Sequence, residues 1–143
     1  MQAHPASVER NWAMAAHLSA LVAVAGMPFG HVLGPLVVYL MKGHESEFVG
    51  QHARASLNYQ ISISVFAIVA TIIAAAVTLG YIVPMSSSAD SPVAGFNLAA
   101  LWIGFAVVAL LAVLASILFI ILGTLAASEG RPYTYPFAIR FLR

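Results

Sequence analysis

The chain has no cysteine and little charge: only 8% of its 143 residues are Asp, Glu, Lys or Arg. The absence of cysteine excludes disulfides, thiolate catalysis and cysteine-ligated metals. Soluble domains carry about 25% charged residues, so these few charges cannot cover a surface that faces water. The formal net charge of +1 provides no strong basic field, and we expect no nucleic-acid partner. Lipid must therefore form part of the surroundings of this chain.

Two long apolar runs, 57–83 and 98–127, dominate the sequence, and neither contains an Asp, Glu, Lys or Arg. Each exceeds the roughly 20 residues that a helix needs to cross the hydrocarbon core of a bilayer. A buried helix of a soluble protein seldom runs that far without a polar face. The two runs predict two transmembrane helices.

A third apolar region, 11–41, is interrupted by glycines and prolines between residues 26 and 35. Since proline and glycine break helices or permit turns, we predict one helix over 12–26 and another over 31–41. The second would reach only about 16 Å, too short to cross the membrane. A re-entrant or short helix pair and one kinked span both remain open. The prediction is an all-α polytopic transmembrane bundle, forming a single domain over 1–143.

The basic residues indicate the orientation of the two spans. The segments 42–56 and 131–143 flank the spans and contain Lys42, Arg54, Arg131, Arg140 and Arg143, whereas the connecting loop 84–97 has no lysine or arginine. Because loops rich in lysine and arginine stay cytoplasmic, we expect the 42–56 loop and the C-terminus in the cytoplasm and the 84–97 loop outside. The N-terminal stretch ends in an A-x-A pattern, but Glu9 and His17 argue against cleavage as a signal peptide.

The histidines raise the question of a metal site. His44, Glu45, Glu47 and His52 offer nitrogen and oxygen ligands, but their spacing matches no compact metal motif. We therefore predict a solvated interfacial helix there and no metal. His17 lies within an apolar helix, where an ionisable group usually faces the bundle interior and has a partner. It is either a proton-responsive or pore-lining residue or, as we favour, a neutral imidazole bonded to Asn58, Gln60 or a carbonyl freed at the helix break.

Polar residues also recur every four positions near the start of the first run, at Ser56, Gln60 and Ser64, with Asn58 and Ser62 in a neighbouring row. They form either a track for a solute or, as we favour, hydrogen bonds between helices. No P-loop, nucleophile elbow or dinucleotide fingerprint occurs in the sequence. We therefore expect no enzymatic activity and no cofactor. The aromatic and basic segment 133–143 is typical of an interfacial anchor, with a lipid head-group site as the alternative.

Three stretches carry a resemblance: ERNWAMAAHLSAL at 9–21; GPLVVYLM, ESEFV and HARASLNYQIS between 34 and 62; and GRPYTYPFAIRF at 130–141. Together they resemble a family of small bacterial membrane proteins of unknown function. That family is distantly similar to the channel subunit of the chloroplast inner-envelope protein-import translocon. The resemblance implies a bundle of about four helices in the bacterial inner membrane and brings no established activity. Gly50 and Gln51 stand where members often have acidic residues, which weakens a cation site in this loop.

The sequence thus predicts a non-enzymatic interaction or assembly partner within a membrane complex. The alternative is a homo-oligomeric pore or permease that resembles a translocon channel subunit. We expect the lipid bilayer, together with a membrane protein or a second copy, as partners. The candidate functional residues are His17, Glu45, Phe48, His52, Asn58, Gln60, Tyr135 and Arg140.

Overall fold

The computed structural model describes residues 5–27, 29–85 and 92–143, and this part of the chain is helical without any strand. Helix α1 spans Ser7–Leu18 and continues as a 3₁₀ segment, Ser19–Ala25. Helix α2 spans Gly30–Lys42, α3 spans Glu47–Met85 and α4 spans Pro92–Ser128. Within α3 and α4, Glu47–Ile82 and Gly95–Ser128 are long and apolar enough to cross a membrane. The predicted all-α bundle with two long spans is confirmed.

The predicted broken region is a helical hairpin. Gly26 has φ 88°, and Phe29, which precedes α2, has φ 58°; both lie in the left-handed region that turns the chain. A Cβ added to Gly34 of α2 would lie 2.4 Å from the backbone oxygen of Ser19, so the two arms touch at backbone distance. The region is therefore a pair of short helices rather than one kinked span.

Both long helices begin earlier than the apolar runs that predicted them. Helix α3 already begins at Glu47, so the polar segment 42–56 leads into the span without a break. Helix α4 begins at Pro92, which turns the second half of the predicted 84–97 loop into helix. Residues 86–91 of that loop lie outside the described residues.

A hydrogen-bonded link joins the start of α1 to the start of α3. One carboxylate oxygen of Glu9 accepts the Ala6 backbone N–H at 2.7 Å, and the other accepts the Ser46 hydroxyl at 2.6 Å. Both bonds stabilise the carboxylate and lower the pKa of Glu9 below its ordinary value, the Ser46 bond more strongly. Ser46 in turn accepts the backbone N–H of Val49 in the first turn of α3. The Glu9 side chain thus stabilises the first turn of α1 and, through Ser46, the first turn of α3.

Two compact units emerge from the contacts: unit 1, Met1–Ser64 with Ser116–Arg143, and unit 2, Val65–Ala115. In unit 1, a small apolar core of Ala16, Val38, Val49 and Ala53 packs against Trp12, Ala15 and Tyr39. In the described part of unit 2, large apolar side chains point outward, for example Ile103 at 65% and Val108 at 66% exposure. Such a surface is stable only when lipid or another protein covers it. That the whole chain forms one domain stays a prediction.

Candidate functional site

Three of the predicted residues meet at the centre of unit 1. His17 Nδ1 lies 2.8 Å from the Tyr135 hydroxyl oxygen, and His17 Nε2 lies 2.8 Å from His52 Nδ1. His52 Nε2 lies 3.1 Å from the backbone oxygen of Arg131. Both histidines are fully buried and Tyr135 is 6% exposed. This buried network joins α1, α3 and the C-terminal segment, 131–143.

The carbonyl at one end fixes the direction of every hydrogen bond in the network. A carbonyl can only accept, so His52 carries its proton on Nε2, and its Nδ1 is an acceptor when the ring is neutral. His17 must then donate from Nε2, which leaves its Nδ1 to accept from the Tyr135 hydroxyl. The bonds therefore run in one direction from Tyr135 through His17 and His52 to the Arg131 carbonyl. Every ring nitrogen is satisfied while both histidines are neutral.

Burial keeps the network uncharged. It lowers the pKa of His17 to about 3, with the neighbouring His52 as a smaller cause, and it raises the pKa of Tyr135 above its ordinary value. Both shifts oppose a charge at the centre of unit 1. At neutral pH His17 and Tyr135 are therefore uncharged within the network.

Close packing shapes the pocket around the two histidines. A Cβ added to Gly123 of α4 would lie 2.9 Å from His17 Nδ1 and 3.1 Å from the Tyr133 ring. The ring of Tyr59 stacks on Tyr135 with centroids 4.3 Å apart, and Phe48 lies 4.6 Å from His52 by the same measure. Gly123, Tyr59 and Tyr133 are parts of this site that were not predicted from the sequence. The small-residue spacing of α4 was the one available signal for Gly123, and it does not identify a histidine as the neighbour.

Asn58 fastens the C-terminal segment to α3. Its Oδ1 accepts the backbone N–H groups of Phe141 at 3.0 Å and Leu142 at 2.8 Å, and its Nδ2 donates to the Leu142 oxygen at 2.9 Å. The Ser62 hydroxyl accepts the Ile139 backbone N–H at 2.8 Å. The predicted bond from His17 to Asn58 or Gln60 is therefore wrong, because Asn58 is used by the C-terminal backbone and His17 by His52 and Tyr135.

The predicted polar track of α3 divides among several partners. Ser64 lies 2.8 Å from His31 Nε2 of α2, and the Tyr59 hydroxyl lies 3.0 Å from that of Ser116 on α4. The amide nitrogen of the buried Gln60 has no hydrogen-bond partner in the described part of the chain. Of the five polar residues predicted to form the track, Ser64, Asn58 and Ser62 form hydrogen bonds that join elements of unit 1.

Two predicted residues lie on the surface of unit 1, away from the network. Glu45 is exposed and pairs with Lys42 at 2.6 Å. Arg140 is also exposed and lines a cavity beside the C-terminal segment. Tyr135, by contrast, is buried, so the prediction of an interfacial anchor is wrong for this residue. Its ring lies inside unit 1, where it stacks on Tyr59 and its hydroxyl bonds to His17.

The described residues hold no group of three or more His, Cys, Asp or Glu side chains that could bind a metal ion. In the ligand set considered from the sequence, His44, Glu45 and Glu47 are exposed. Both ring nitrogens of His52 are engaged by His17 and Arg131. These side chains form no shared coordination site within the described ranges.

Fold and site together define a small helical protein with two helices that could span a membrane, and the buried polar side chains among the described residues lie in unit 1. Residues 8–142 match the magnetosome magnetite crystal formation protein family, MamF/MmsF, and the chain belongs to this family. The membership agrees with the predicted small bacterial membrane family and gives its members a role in magnetite formation. The match shows no similarity to a translocon subunit. No curated protein and no solved structure matches the chain.

Proposed function

We propose that the chain is a non-enzymatic assembly protein of the membrane in which magnetite crystals form. Helices α3 and α4 anchor it, and the surface of unit 1 contacts another membrane protein. The observation that carries this proposal is the joining of the two polar segments, 42–58 and 131–143, into one folded surface. His52 bonds to the Arg131 carbonyl, and Asn58 bonds to the backbone of Phe141 and Leu142.

The chemistry of the buried residues favours a structural role for them. Each ring nitrogen of His17 and His52 forms a hydrogen bond, and the buried network ends at the backbone carbonyl of Arg131. A general base needs a free acceptor within reach of a substrate proton. Here the acceptors are occupied and buried, so these residues serve to hold α1, α3 and the C-terminal segment together.

The surface that remains for contact is rich in charge. Arg54 pairs with Glu47 at 2.7 Å, Lys42 pairs with Glu45, and Arg131 pairs with Glu129. Exposed ion pairs contribute little to stability, but charge complementarity gives an interface its specificity. We propose the bacterial inner membrane as the location, with this surface in the cytoplasm and the 84–97 loop outside, since positively charged segments stay inside. The lipid bilayer and either a membrane-protein partner or a second copy complete the surroundings.

Site-specific photocrosslinking in native membranes tests the proposal. Probes belong at Gln51 and Phe137, which are exposed, the latter by 85%, while Ile103 in unit 2 provides an exposed control. His52 and Tyr135 are unsuitable because they are buried. We expect mass spectrometry to find one reproducible foreign membrane protein from the unit 1 probes and lipid from Ile103.

Two outcomes would contradict the assembly role. One is that Gln51 and Phe137 crosslink only to lipid, and the other is that a His17→Leu strain forms magnetite crystals of normal size and number by electron microscopy. The second readout connects the contact surface to the role of the family. Crosslinks from one copy of the chain to another would direct attention to an oligomer.

A homo-oligomeric pore is the second candidate function, and the buried, unpartnered amide nitrogen of Gln60 favours it. A group of this kind costs free energy unless water or another chain satisfies it. Ferrous iron is the solute to test in proteoliposomes, since magnetite is an iron oxide. Flux that Gln60→Leu abolishes and Gln51→Leu preserves would support the pore, and the absence of flux from folded protein would reject it.

A further inference from the structure

A cavity of about 460 Å³ lies in unit 1 between the first turns of α3 and the C-terminal segment. Its lining includes Arg54, Arg140 and Arg143, together with the polar side chains of Gln51 and Thr134. No Asp or Glu lines it. Guanidinium groups around a cavity whose described lining has no Asp or Glu side chain favour an anion.

The three arginines differ in how their charges are compensated. Arg54 is held by Glu47 at 2.7 Å, and the Glu47 side chain is 84% exposed and is not among the residues that line the cavity. Arg140 and Arg143 form no ion pair with any described residue. Two uncompensated guanidinium groups therefore flank the cavity, beside a third that Glu47 holds in place.

The surroundings of the cavity are those of a membrane interface. Phe137 and Phe141 in the same segment are 85% and 49% exposed, and arginines alternate with these apolar side chains along the chain. Exposed aromatic side chains lie at the level of lipid headgroups. Basic pockets beside transmembrane helices bind the head groups of anionic lipids.

We propose that this cavity is a binding site for a phosphate group, supplied by an anionic phospholipid or by free phosphate. The planar guanidinium fork of arginine matches phosphate oxygens in a bidentate manner. Arg140 and Arg143 provide the binding charge, and Gln51 and Thr134 provide polar contacts at the wall. The site is independent of the assembly role proposed above, which requires no ligand.

Native mass spectrometry of the full-length protein in detergent tests the site, with phosphatidylglycerol, phosphatidylcholine and inorganic phosphate as probes. We expect the Arg140→Gln/Arg143→Gln variant to lose about tenfold or more in affinity for phosphatidylglycerol, because charge-assisted hydrogen bonds are lost. The control variant Lys42→Gln/Arg131→Gln removes the same number of positive charges from unit 1 outside the cavity lining. It should bind phosphatidylglycerol like the unmodified protein.

The remaining arms identify the source of the phosphate. If inorganic phosphate displaces the lipid, the phosphate group alone is recognised; if it does not, the headgroup of the lipid is required. Equal loss in both double variants, equal binding of phosphatidylglycerol and phosphatidylcholine without binding of phosphate, or stronger binding of a polyglutamate peptide would each overturn the proposal. Arg140→Lys/Arg143→Lys keeps the charge and guards against misfolding, and it should retain part of the affinity.

Discussion

Polar side chains form long-range hydrogen bonds in unit 1 and local hydrogen bonds in unit 2. Unit 1 buries His17, His52, Asn58 and other polar side chains and pairs most of them across elements that are distant in sequence. In the described part of unit 2, polar side chains are satisfied locally: Thr71 donates to the Ala67 carbonyl and Thr78 to that of Ala74. The long-range hydrogen bonds are therefore the feature that makes the conformation of unit 1 unique.

The comparison also separates two sources of stability. The described apolar side chains of unit 2 are mostly exposed, so its environment is lipid or a partner. Unit 1 depends on groups that each need one particular neighbour, because an unpaired buried polar group is costly. Substitutions should consequently be severe in unit 1 and mild in unit 2.

The largest expected effect is that of His17→Leu, which removes the centre of the network. It leaves His52 Nδ1 buried without the His17 donor and removes the bond that the Tyr135 hydroxyl donates to His17, at about 1–3 kcal/mol for each group. Thermal unfolding in detergent, followed by circular dichroism, should show the loss. His44→Leu is the matched control, since His44 is exposed, and its effect should stay within about 0.5 kcal/mol. Equal effects of the two substitutions would show that the buried network stabilises unit 1 no more than an exposed histidine does.

The second expected effect is a loss of stability in acid that is confined to unit 1. The pKa of His17 is lowered by burial from 6.5 to about 3, so the unfolded chain binds more protons between these values. The contribution of His17 is complete above pH 6.5 and is lost as the pH falls towards 3, by about 2 kcal/mol at pH 4.5. Below 4.5 the lowered pKa of Glu9 adds to the loss in the same direction.

Hydrogen exchange between pH 6.5 and 4.5, corrected for the intrinsic exchange rate, measures this difference. Amides of α1 should lose protection, whereas amides of α3 in unit 2 should keep theirs. Unit 2 has Asp90 as its single residue among Asp, Glu, His, Lys and Arg. A His17→Gln variant should flatten the response of α1, and an unchanged response would show that His17 is not its source.

Gly123→Ala should have the third largest effect, since its Cβ would lie 2.9 Å from His17 Nδ1. Overpacking of this kind costs about 1–3 kcal/mol. Gly104→Ala lies in the same helix with nothing within 4 Å of the added Cβ and should be neutral or stabilising by up to about 1 kcal/mol. Chemical unfolding of both variants gives the comparison, and a neutral Gly123→Ala would mean that the His17 ring can move away.

The smallest expected effect is that of Tyr59→Phe. The ring keeps its stacking on Tyr135 but loses the hydrogen bond to Ser116, worth about 0.5–1.5 kcal/mol. Tyr81→Phe in unit 2, where Tyr81 is 42% exposed, should change the unfolding free energy less. A larger loss of unfolding free energy for Tyr81→Phe than for Tyr59→Phe would contradict the expected difference between the two units.

Local sequence patterns suffice to predict the helical class, the two spans and the break between α1 and α2. These features follow from local chemistry: the length of uncharged apolar runs sets the spans, and Gly26, with φ 88°, permits the turn between α1 and α2. Gly34 and Pro35, by contrast, lie inside α2. His17 and Asn58 are candidates because polar groups in an apolar chain need partners. His52 and Tyr135 lie in the stretches that carry the family resemblance.

The partners of these residues depend on how distant segments of the chain pack together. His17 and Tyr135 are 118 positions apart in sequence, and Asn58 and Leu142 are 84 apart. No periodicity within a helix encodes contacts across such distances. Packing between distant elements also places Gly123 against the His17 imidazole. It likewise brings Arg54, Arg140 and Arg143 around one cavity. Local patterns specify elements, whereas hydrogen-bond geometry and close packing between distant elements specify the site.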